Sequence, residues 1–264
     1  MIYKGDIATE TEVTLLICAE QPRALADEIA RLKRIGFFRL GATSSSTIRD
    51  VYLDTRAGTL STKRWALRLR TVGARRSITL KGPSRLSGRG DARRLELEAP
   101  WSYEAIERIR DELSGRGMVL GEPAYRHDDP EKTMASMGLE PLQRRKIVRR
   151  KRAILGVHDR SGPVEFMVDA VTFLFAEAPI VHWELEIEVG SPEARDTAES
   201  VAQELLDMYE PALRTWNYGK LATGLVLEDL VRSGEMESLV REDGSLIPAA
   251  YEAVEQRLQS SGKG

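Results

Sequence analysis

Hydrophobic and polar side chains alternate along much of this chain with the period of two that is typical of β-strands. The first such segment, residues 10–18, begins with alternating carboxylates and then becomes apolar. Residues 21–35 instead repeat apolar side chains at helical spacing and are followed by Gly36, which predicts a helix that ends there. Further strands, separated by Gly-, Ser- or Pro-containing turns, are expected at 37–41, 46–54, 64–72, 75–83 and 92–99.

The second half of the chain predicts helices and a set of long strands. A helix is expected at 101–117, and the region 115–140 is interpreted only as a mixed connection. Long strands are expected at 142–155, 162–174 and 181–189, and further helices at 193–209, 219–232 and 248–259. We therefore predict an α+β protein with a main domain at 8–232 and a C-terminal helical tail at 233–264 that packs on the outside of that domain.

Length and composition are those of an ordinary globular protein. The chain has 264 residues, of which 42% are hydrophobic and 30% charged, enough apolar material for a sizeable core. It contains neither a long apolar run that would predict a membrane span nor an N-terminal apolar region typical of a signal peptide, so a cytoplasmic protein without a membrane partner is expected. Its one cysteine, Cys18, excludes an intrachain disulfide and a cysteine metal site.

Charge is strongly segregated along the chain although the formal net charge is only -2. Residues 49–94 carry 13 Arg and Lys against 3 Asp, and a second basic run follows at 144–152. The balancing carboxylates lie elsewhere, mainly in later strands and in the C-terminal tail. This segregation predicts a local binding site for an anion.

Several predicted strands place charged or polar side chains on one face, because residues two apart in a strand share a face. These sets are Glu10 and Glu12, Arg68 and Arg70, Thr79 and Lys81, Glu96 and Glu98, Arg150 and Arg152, and Glu184, Glu186 and Glu188. Such a face can simply point at water. However, carboxylates at three alternating positions repel one another unless a cation lies nearby, and apolar positions between them favour a sheet covered outside by helices. The pattern therefore predicts a closed sheet whose charged interior is neutralised by a ligand or a metal.

The residue types indicate which ligands these are. Carboxylates clustered without His or Cys are the donors that Mg²⁺ and Mn²⁺ prefer, and Arg and Lys bind phosphate oxygens. The three histidines, His127, His158 and His182, are scattered singly and are expected to be structural. A metal that bridges phosphate oxygens between acidic and basic strands would make a phosphoryl-transfer site.

The ordered motifs resemble the CYTH superfamily, also called the triphosphate tunnel metalloenzymes. Its ExExK signature is matched in part by Glu10-Thr11-Glu12-Val13-Thr14, and its R-x-x-Y/F-x-D-T segment by residues 49–55. The motifs WALRLR (65–70), TLK (79–81) and RLELE (94–98) follow in the family's order. Later matches are the basic strand ending in Arg150 and Arg152, the V-D segment at Asp169, ELEIE (184–188) and Lys220.

This resemblance implies an eight-stranded antiparallel β-tunnel that binds a small triphosphate with Mg²⁺ or Mn²⁺ and hydrolyses its terminal phosphate. By analogy with the family, the expected metal ligands are Glu10, Glu12, Glu98, Asp169, Glu184, Glu186 and Glu188. The residues expected to bind the phosphates are Arg49, Arg68, Arg70, Lys81, Arg150, Arg152 and Lys220. A direct catalytic role is expected for Glu10, Glu12, Lys81 and Lys220.

One departure from the family keeps other functions open. Thr14 stands where the signature has lysine, so it can donate a hydrogen bond to phosphate but supplies no positive charge. A polyphosphate or nucleotide sensor without catalysis is therefore an alternative, as is an adenylate cyclase of the same family. Nucleic-acid binding through the basic segments is disfavoured, because the basic residues alternate with apolar ones and aromatic residues make up only 6% of the chain. A homodimer is an open alternative to a monomer.

Overall fold

The computed structural model describes residues 11–83, 85–86, 92–93, 95–155, 164–190 and 194–260. The strands are β1 (Thr11–Ile17), β2 (Arg34–Ile35), β3 (Phe38–Leu40), β4 (Ser44–Thr55), β5 (Ala66–Val72), β6 (Arg75–Lys81), β7 (Arg85–Leu86), β8 (Ala92–Arg93), β9 (Glu96–Pro100), β10 (Leu139–Leu155), β11 (Val164–Leu174), β12 (Pro179–Val189) and β13 (Leu213–Thr215). The helices are α1 (Pro22–Arg31), α2 (Thr59–Thr62), α3 (Tyr103–Ser114), α4 (Pro130–Ser136), α5 (Arg195–Tyr209), α6 (Lys220–Arg232) and α7 (Pro248–Ser260). The predicted α+β class with antiparallel strand pairing is confirmed.

The chain forms two compact units. The middle unit contains the described residues of Ile48–Arg144, and the flanking unit contains those of Glu10–Thr47 and Arg145–Gly264. The chain therefore passes from one unit to the other within β4 and again within β10.

The flanking unit is built on antiparallel strands in the order β13, β1, β12, β11 and β10. One face of this sheet is apolar, with Leu15, Val168, Leu185 and Ile187 packed in a single core cluster. Buried side chains of α1 and α5, among them Ile29, belong to the same cluster. Burial of this face leaves the other face of β12 to the alternating residues His182, Glu184, Glu186 and Glu188.

The middle unit repeats this arrangement on antiparallel strands in the order β4, β5, β6 and β9. Its apolar face includes Leu67, Leu69, Ile78 and Leu80, which pack in one core cluster with buried side chains of α3. Helix α3 begins at an N-cap, Ser102, whose Oγ accepts a hydrogen bond from the backbone N–H of Ala105. The opposite face carries the charged residues of β5, β6 and β9.

The elements differ from the predicted ones mainly at their ends. Helix α1 stops at Arg31 instead of continuing toward Gly36, and the chain enters β2 at Arg34. The helices α2 and α4 and the short strand β13 have no predicted counterpart, because each is too short to establish a periodic pattern. Within the described ranges, every helix is too short or too polar to cross a membrane. The domain boundary predicted at residue 232 stays a prediction.

Candidate metal and phosphate site

A row of charged residues crosses the flanking sheet on the face opposite the apolar core. Arg149 on β10 lies directly opposite Asp169 on β11, which lies directly opposite Glu184 on β12. Residues paired in this way share a face of an antiparallel sheet. Arg149 donates two hydrogen bonds to Asp169, from Nε to Oδ1 (2.9 Å) and from Nη2 to Oδ2 (2.6 Å). This bidentate pair fixes the Asp169 carboxylate at the centre of the row.

Asp169, Glu184 and Glu186 form a carboxylate cluster. All three residues are buried, and each offers an oxygen that lies within 4.8 Å of the oxygens offered by the other two. Arg149 Nη2 also donates to Glu186 Oε2 at 2.5 Å, so the same guanidinium contacts two members of the cluster. Three carboxylates this close repel one another strongly unless positive charge compensates them.

Lys220, the first residue of α6, supplies further compensation. Its Nζ lies 3.4 Å from Asp169 Oδ2 and also contacts Glu184 Oε1 and Glu186 Oε1. Lys220 and Arg149 together bring two positive charges to the three carboxylates. The ammonium thus lies among the same oxygens that could hold a metal ion.

Burial and charge shift the pKa values of these groups in different directions. Burial, helped by the negative charge of Asp169, raises the pKa of Glu186 to about 8. Burial lowers the pKa of Lys220 to about 8, although Asp169 opposes that change. Burial raises the pKa of Asp169, but the charge of Lys220 and the hydrogen bonds from Arg149 outweigh burial and bring this pKa below its usual value. Asp169 is therefore held in its ionised form, whereas burial favours the protonated form of Glu186.

The donor chemistry of the cluster fits a hard divalent cation. All of its candidate ligand atoms are carboxylate oxygens, which Mg²⁺ and Mn²⁺ prefer, and they converge in a buried position. Asp169, Glu184 and Glu186 are therefore the residues that would hold such an ion. Of the other predicted ligands, Glu12 lies opposite Glu188 at the same sheet face, while Glu10 lies outside the described residues.

The middle unit pairs its basic residues with carboxylates on one sheet face. Arg70 forms two hydrogen bonds with Asp50, at 2.8 and 2.9 Å. Lys81 Nζ lies 2.9 Å from Glu96 Oε1. These pairs keep both basic residues on the face opposite the core cluster.

Arg68 belongs to a third ion pair on this face. Its Nη2 lies 3.3 Å from Glu98 Oε2, and Thr79 Oγ1 hydrogen bonds to both side chains at 3.1 Å. The Glu98 side chain is 50% exposed, so its carboxylate can be exchanged for another anion at little cost. The structure therefore places Arg68, Arg70 and Lys81 on one face of the sheet, as predicted, and it places Glu98 in an ion pair with Arg68 instead of among metal-binding carboxylates.

The structure does not place Arg150 and Arg152 on the acidic face, where the sequence pattern predicted them. Arg150 lies opposite Val168 and Arg152 opposite Phe166, which are core residues of the apolar face. Arg150 Nη1 donates to Asp27 Oδ1 at 2.6 Å. Arg152 donates to four backbone carbonyl oxygens: Gly41 (2.8 Å), Leu40 (3.3 Å), Ala30 (3.3 Å) and Leu32. Two of these acceptors lie at the C-terminal end of α1, so Arg152 ends that helix by satisfying its carbonyl groups.

Arg49 is also separated from the other predicted phosphate-binding residues. It lies opposite Thr71, whereas its neighbour Asp50 lies opposite Arg70. Because adjacent residues of a strand point to opposite faces, Arg49 is on the face of the core cluster and not on that of Arg70. The Arg49 side chain is exposed there.

Sequence reasoning missed Arg149, Asp50 and His182 as members of the charged faces. The sequence of β10 could not predict which residues face the carboxylates, because the run RRKR (149–152) places a basic residue at every position and so on both faces of the strand. His182 could have been found, since it continues the alternation of Glu184, Glu186 and Glu188 by one step. Its Nε2 lies 2.8 Å from Glu184 Oε2, and burial together with the charge of Lys220 lowers its pKa to about 3.

The profile of the CYTH domain family matches residues 23–214, well over half of the chain. The chain belongs to the CYTH domain family. The CYTH match includes the strands that carry Arg68, Lys81, Asp169 and Glu184, and it ends just before Lys220. A comparison with curated protein sequences finds no match.

Several solved structures resemble this CYTH chain at low sequence identity. A putative adenylyl cyclase from Hippeastrum, described as having a dominant triphosphatase activity, is 19% identical, with 85% of this chain and 96% of that chain covered and a TM-score of 0.49. A putative adenylate cyclase from Bacillus halodurans is 17% identical, with coverage of 82% and 96% and a TM-score of 0.46. The Mimivirus capping enzyme triphosphatase is 12% identical, with coverage of 78% and 91% and a TM-score of 0.35.

Proposed function

We propose that this CYTH protein hydrolyses the terminal phosphoanhydride bond of inorganic triphosphate or an organic triphosphate with Mg²⁺ or Mn²⁺. The observation that carries the proposal is the buried cluster of Asp169, Glu184 and Glu186, held by Arg149 and Lys220. Carboxylates that only faced solvent would not be buried in this way with their oxygens converging.

Each charged side chain of the flanking cluster has a role in this proposal. A divalent ion held by Asp169, Glu184 and Glu186 would neutralise phosphate oxygens and lower the pKa of a bound water. Arg149 fixes the orientation of Asp169 and presents positive charge on the same face. Lys220, whose Nζ already lies among carboxylate oxygens, would release them to bind a phosphate oxygen as an ammonium point charge.

The basic face of the middle unit, considered by itself, also has the chemistry that binds phosphate oxygens. Arg68, Arg70 and Lys81 are each paired with a carboxylate, so their side chains are held in position before any phosphate binds. Preorganised cations stabilise the charge that develops on a transferring phosphoryl group, because they need no reorientation during the reaction. The closed tunnel that the family resemblance implies stays a prediction.

A phosphate-release assay with matched variants tests the proposal. Purified protein is incubated with triphosphate, thiamine triphosphate or ATP, with Mg²⁺ or Mn²⁺ and then with excess EDTA. We expect metal-dependent phosphate release that Glu184→Gln lowers by about a hundredfold or more. The control is Glu199→Gln, which removes an exposed carboxylate that pairs with Arg195 on α5, away from the carboxylate cluster. Wild-type protein that releases no phosphate from any of these compounds would contradict the proposal.

Thr14 favours a second candidate, a protein that binds triphosphate without hydrolysing it. It occupies the position of the signature lysine on the acidic face, but its hydroxyl adds no positive charge. Tight triphosphate binding by calorimetry together with undetectable phosphate release would support this candidate. In the same assay, formation of cyclic AMP and pyrophosphate from ATP would instead identify a cyclase.

A further inference from the structure

His182 makes a buried hydrogen bond to one oxygen of the carboxylate cluster. Both side chains are almost completely buried, with exposures of 0% for His182 and 1% for Glu184. Nε2 of His182 lies 2.8 Å from Glu184 Oε2, while Lys220 contacts the other oxygen, Glu184 Oε1. Each oxygen of this one carboxylate therefore has a different partner.

The hydrogen bond specifies how the imidazole is protonated. An ionised carboxylate can only accept, so Nε2 must carry the hydrogen. The other ring nitrogen, Nδ1, is buried and has no hydrogen-bond partner within the described residues. Among the described residues, Glu184 is the one that His182 hydrogen bonds to, so the orientation of the ring serves that carboxylate.

The C-terminal helix α7 holds the His182 ring in place. Tyr251 of α7 is buried and packs edge-on against His182, with 5.7 Å between the ring centroids. Tyr251 also packs against Trp216 at 6.3 Å, and Phe173 of β11 lies 6.2 Å from His182. The rings of Tyr251 and Phe173 restrict the rotation of the imidazole from two sides.

The segment before α7 is tied to the same strand of the sheet. The backbone N–H of Val181 donates to the carbonyl of Gly244 at 2.8 Å, and Val181 forms a parallel bridge with Ser245. Gly244 has φ of +80°, and a Cβ there would lie 2.8 Å from the carbonyl oxygen of Pro179, so this approach requires glycine. All of these tail residues lie beyond residue 214, where the family match ends.

We propose that His182 is a positioning residue for the metal-binding carboxylate Glu184, and that the C-terminal tail supports it through Tyr251. The inference rests on the proposed function for the identity of the cation and goes beyond it in giving the tail a role at the site. A glutamate side chain has several rotamers, and a hydrogen bond from a ring that cannot turn selects one of them. Because the Glu184 side chain is already restricted by His182, it loses less conformational entropy when its oxygen binds a cation.

Direct Mn²⁺ binding in the full chain, measured by calorimetry without triphosphate, tests the proposal. His182→Leu retains bulk but cannot donate, and we expect it to weaken Mn²⁺ binding by about 10- to 100-fold. His182→Gln places an amide N–H near the position of Nε2, and we expect it to bind within about threefold of wild type. Tyr251→Leu removes the ring contact and should weaken binding in the same direction, whereas Tyr251→Phe keeps the ring and should not. Equal Mn²⁺ affinity in wild type and His182→Leu would overturn the proposal.

A second measurement keeps the test decisive if the leucine variant folds poorly. The chain has 3 histidines, so ¹⁵N correlation spectra of labelled wild-type protein resolve each imidazole, and His182→Gln assigns the signal that disappears. We expect the neutral Nε2–H tautomer for His182 at pH 7. The Nδ1–H tautomer would overturn the proposed hydrogen bond. A wild-type chain that shows the expected tautomer but binds no Mn²⁺ would contradict the proposed function and the metal-binding role of Glu184, while confirming the bond itself.

Discussion

Thr14 on β1 lies directly opposite Glu186 on β12, on the sheet face that carries the carboxylate cluster. The position where the family signature has lysine therefore adjoins the cluster, as the alternation of side chains predicted. A lysine there would add positive charge next to Glu186, in a carboxylate cluster that already contacts Arg149 and Lys220.

Replacing Thr14 by lysine should improve the use of triphosphate. We expect Thr14→Lys to raise kcat/KM for metal-dependent phosphate release by about tenfold, equivalent to about 1.4 kcal/mol of added charge stabilisation. Thr14→Met is the matched control, because it adds a chain of similar length without charge. An equal gain in both variants would show that size, not charge, limits the reaction.

Arg149 and Arg150 are adjacent in sequence but should differ sharply in their effect on activity. Arg149→Met removes the bidentate partner of buried Asp169, so we expect phosphate release to fall by about 10- to 100-fold, consistent with 1.5 to 3 kcal/mol for hydrogen bonds to a charged group. Arg150→Met removes only a partly exposed pair with Asp27, which is worth at most about 1 kcal/mol of stability. Steady-state kinetics and urea unfolding on both variants separate the two outcomes. Loss of activity in Arg150→Met with normal stability would contradict the assignment of faces.

Arg152 should matter for stability and not for substrate binding. Its guanidinium donates to backbone carbonyls at the end of α1 and of β3. We expect Arg152→Met to lower the free energy of unfolding by about 2 to 3 kcal/mol, because buried carbonyl groups lose a charged donor. Arg39→Met, at an exposed position of β3, should change it by less than about 0.5 kcal/mol. Urea titrations at one pH measure both, and an unchanged unfolding midpoint for Arg152→Met would refute this role.

The thiol of Cys18 should react slowly with disulfide reagents in the folded protein. Burial raises its pKa from 9.0 to about 11, so at pH 8 the folded chain has about a hundredfold less thiolate than the unfolded chain. Reaction with a disulfide reagent should therefore be much slower before urea is added than after, and its rate should still rise with pH above 9. Because the folded-state pKa lies above the unfolded one, the associated stability is complete below pH 9 and is lost as pH rises toward 11. A rate that levels off near pH 9 in the folded chain would contradict the raised pKa.

Sequence alone predicted the charged faces wherever a strand carries charge of one sign at alternating positions. In β12 the residues between Glu184, Glu186 and Glu188 are apolar, so one face can only be the buried one. The same reasoning placed Arg68 and Arg70 together in β5. Both predictions depend on the simple rule that a strand points its side chains alternately to two sides.

The alternation of polar and apolar residues could not predict the structure where both faces of a strand are polar. It also failed where a contact between segments distant in sequence determines the structure. Consecutive basic residues in β10 leave the two registers equally plausible, and only pairing with β11 selects Arg149 for the acidic face. The end of α1 depends on Arg152, more than a hundred residues away in sequence. The support of His182 by Tyr251 likewise joins two segments that local periodicity cannot relate.

The arginines of β10 have different roles on the two faces of the strand, and this limits which sequence changes the segment can accept. Substitutions at single positions there affect one face at a time, either the site or the packing against α1. Inserting or deleting one residue within 145–152 would instead exchange the two faces, directing the partner of Asp169 into the core and the anchor of α1 toward the carboxylates. The segment should therefore tolerate changes of residue type far better than changes of length.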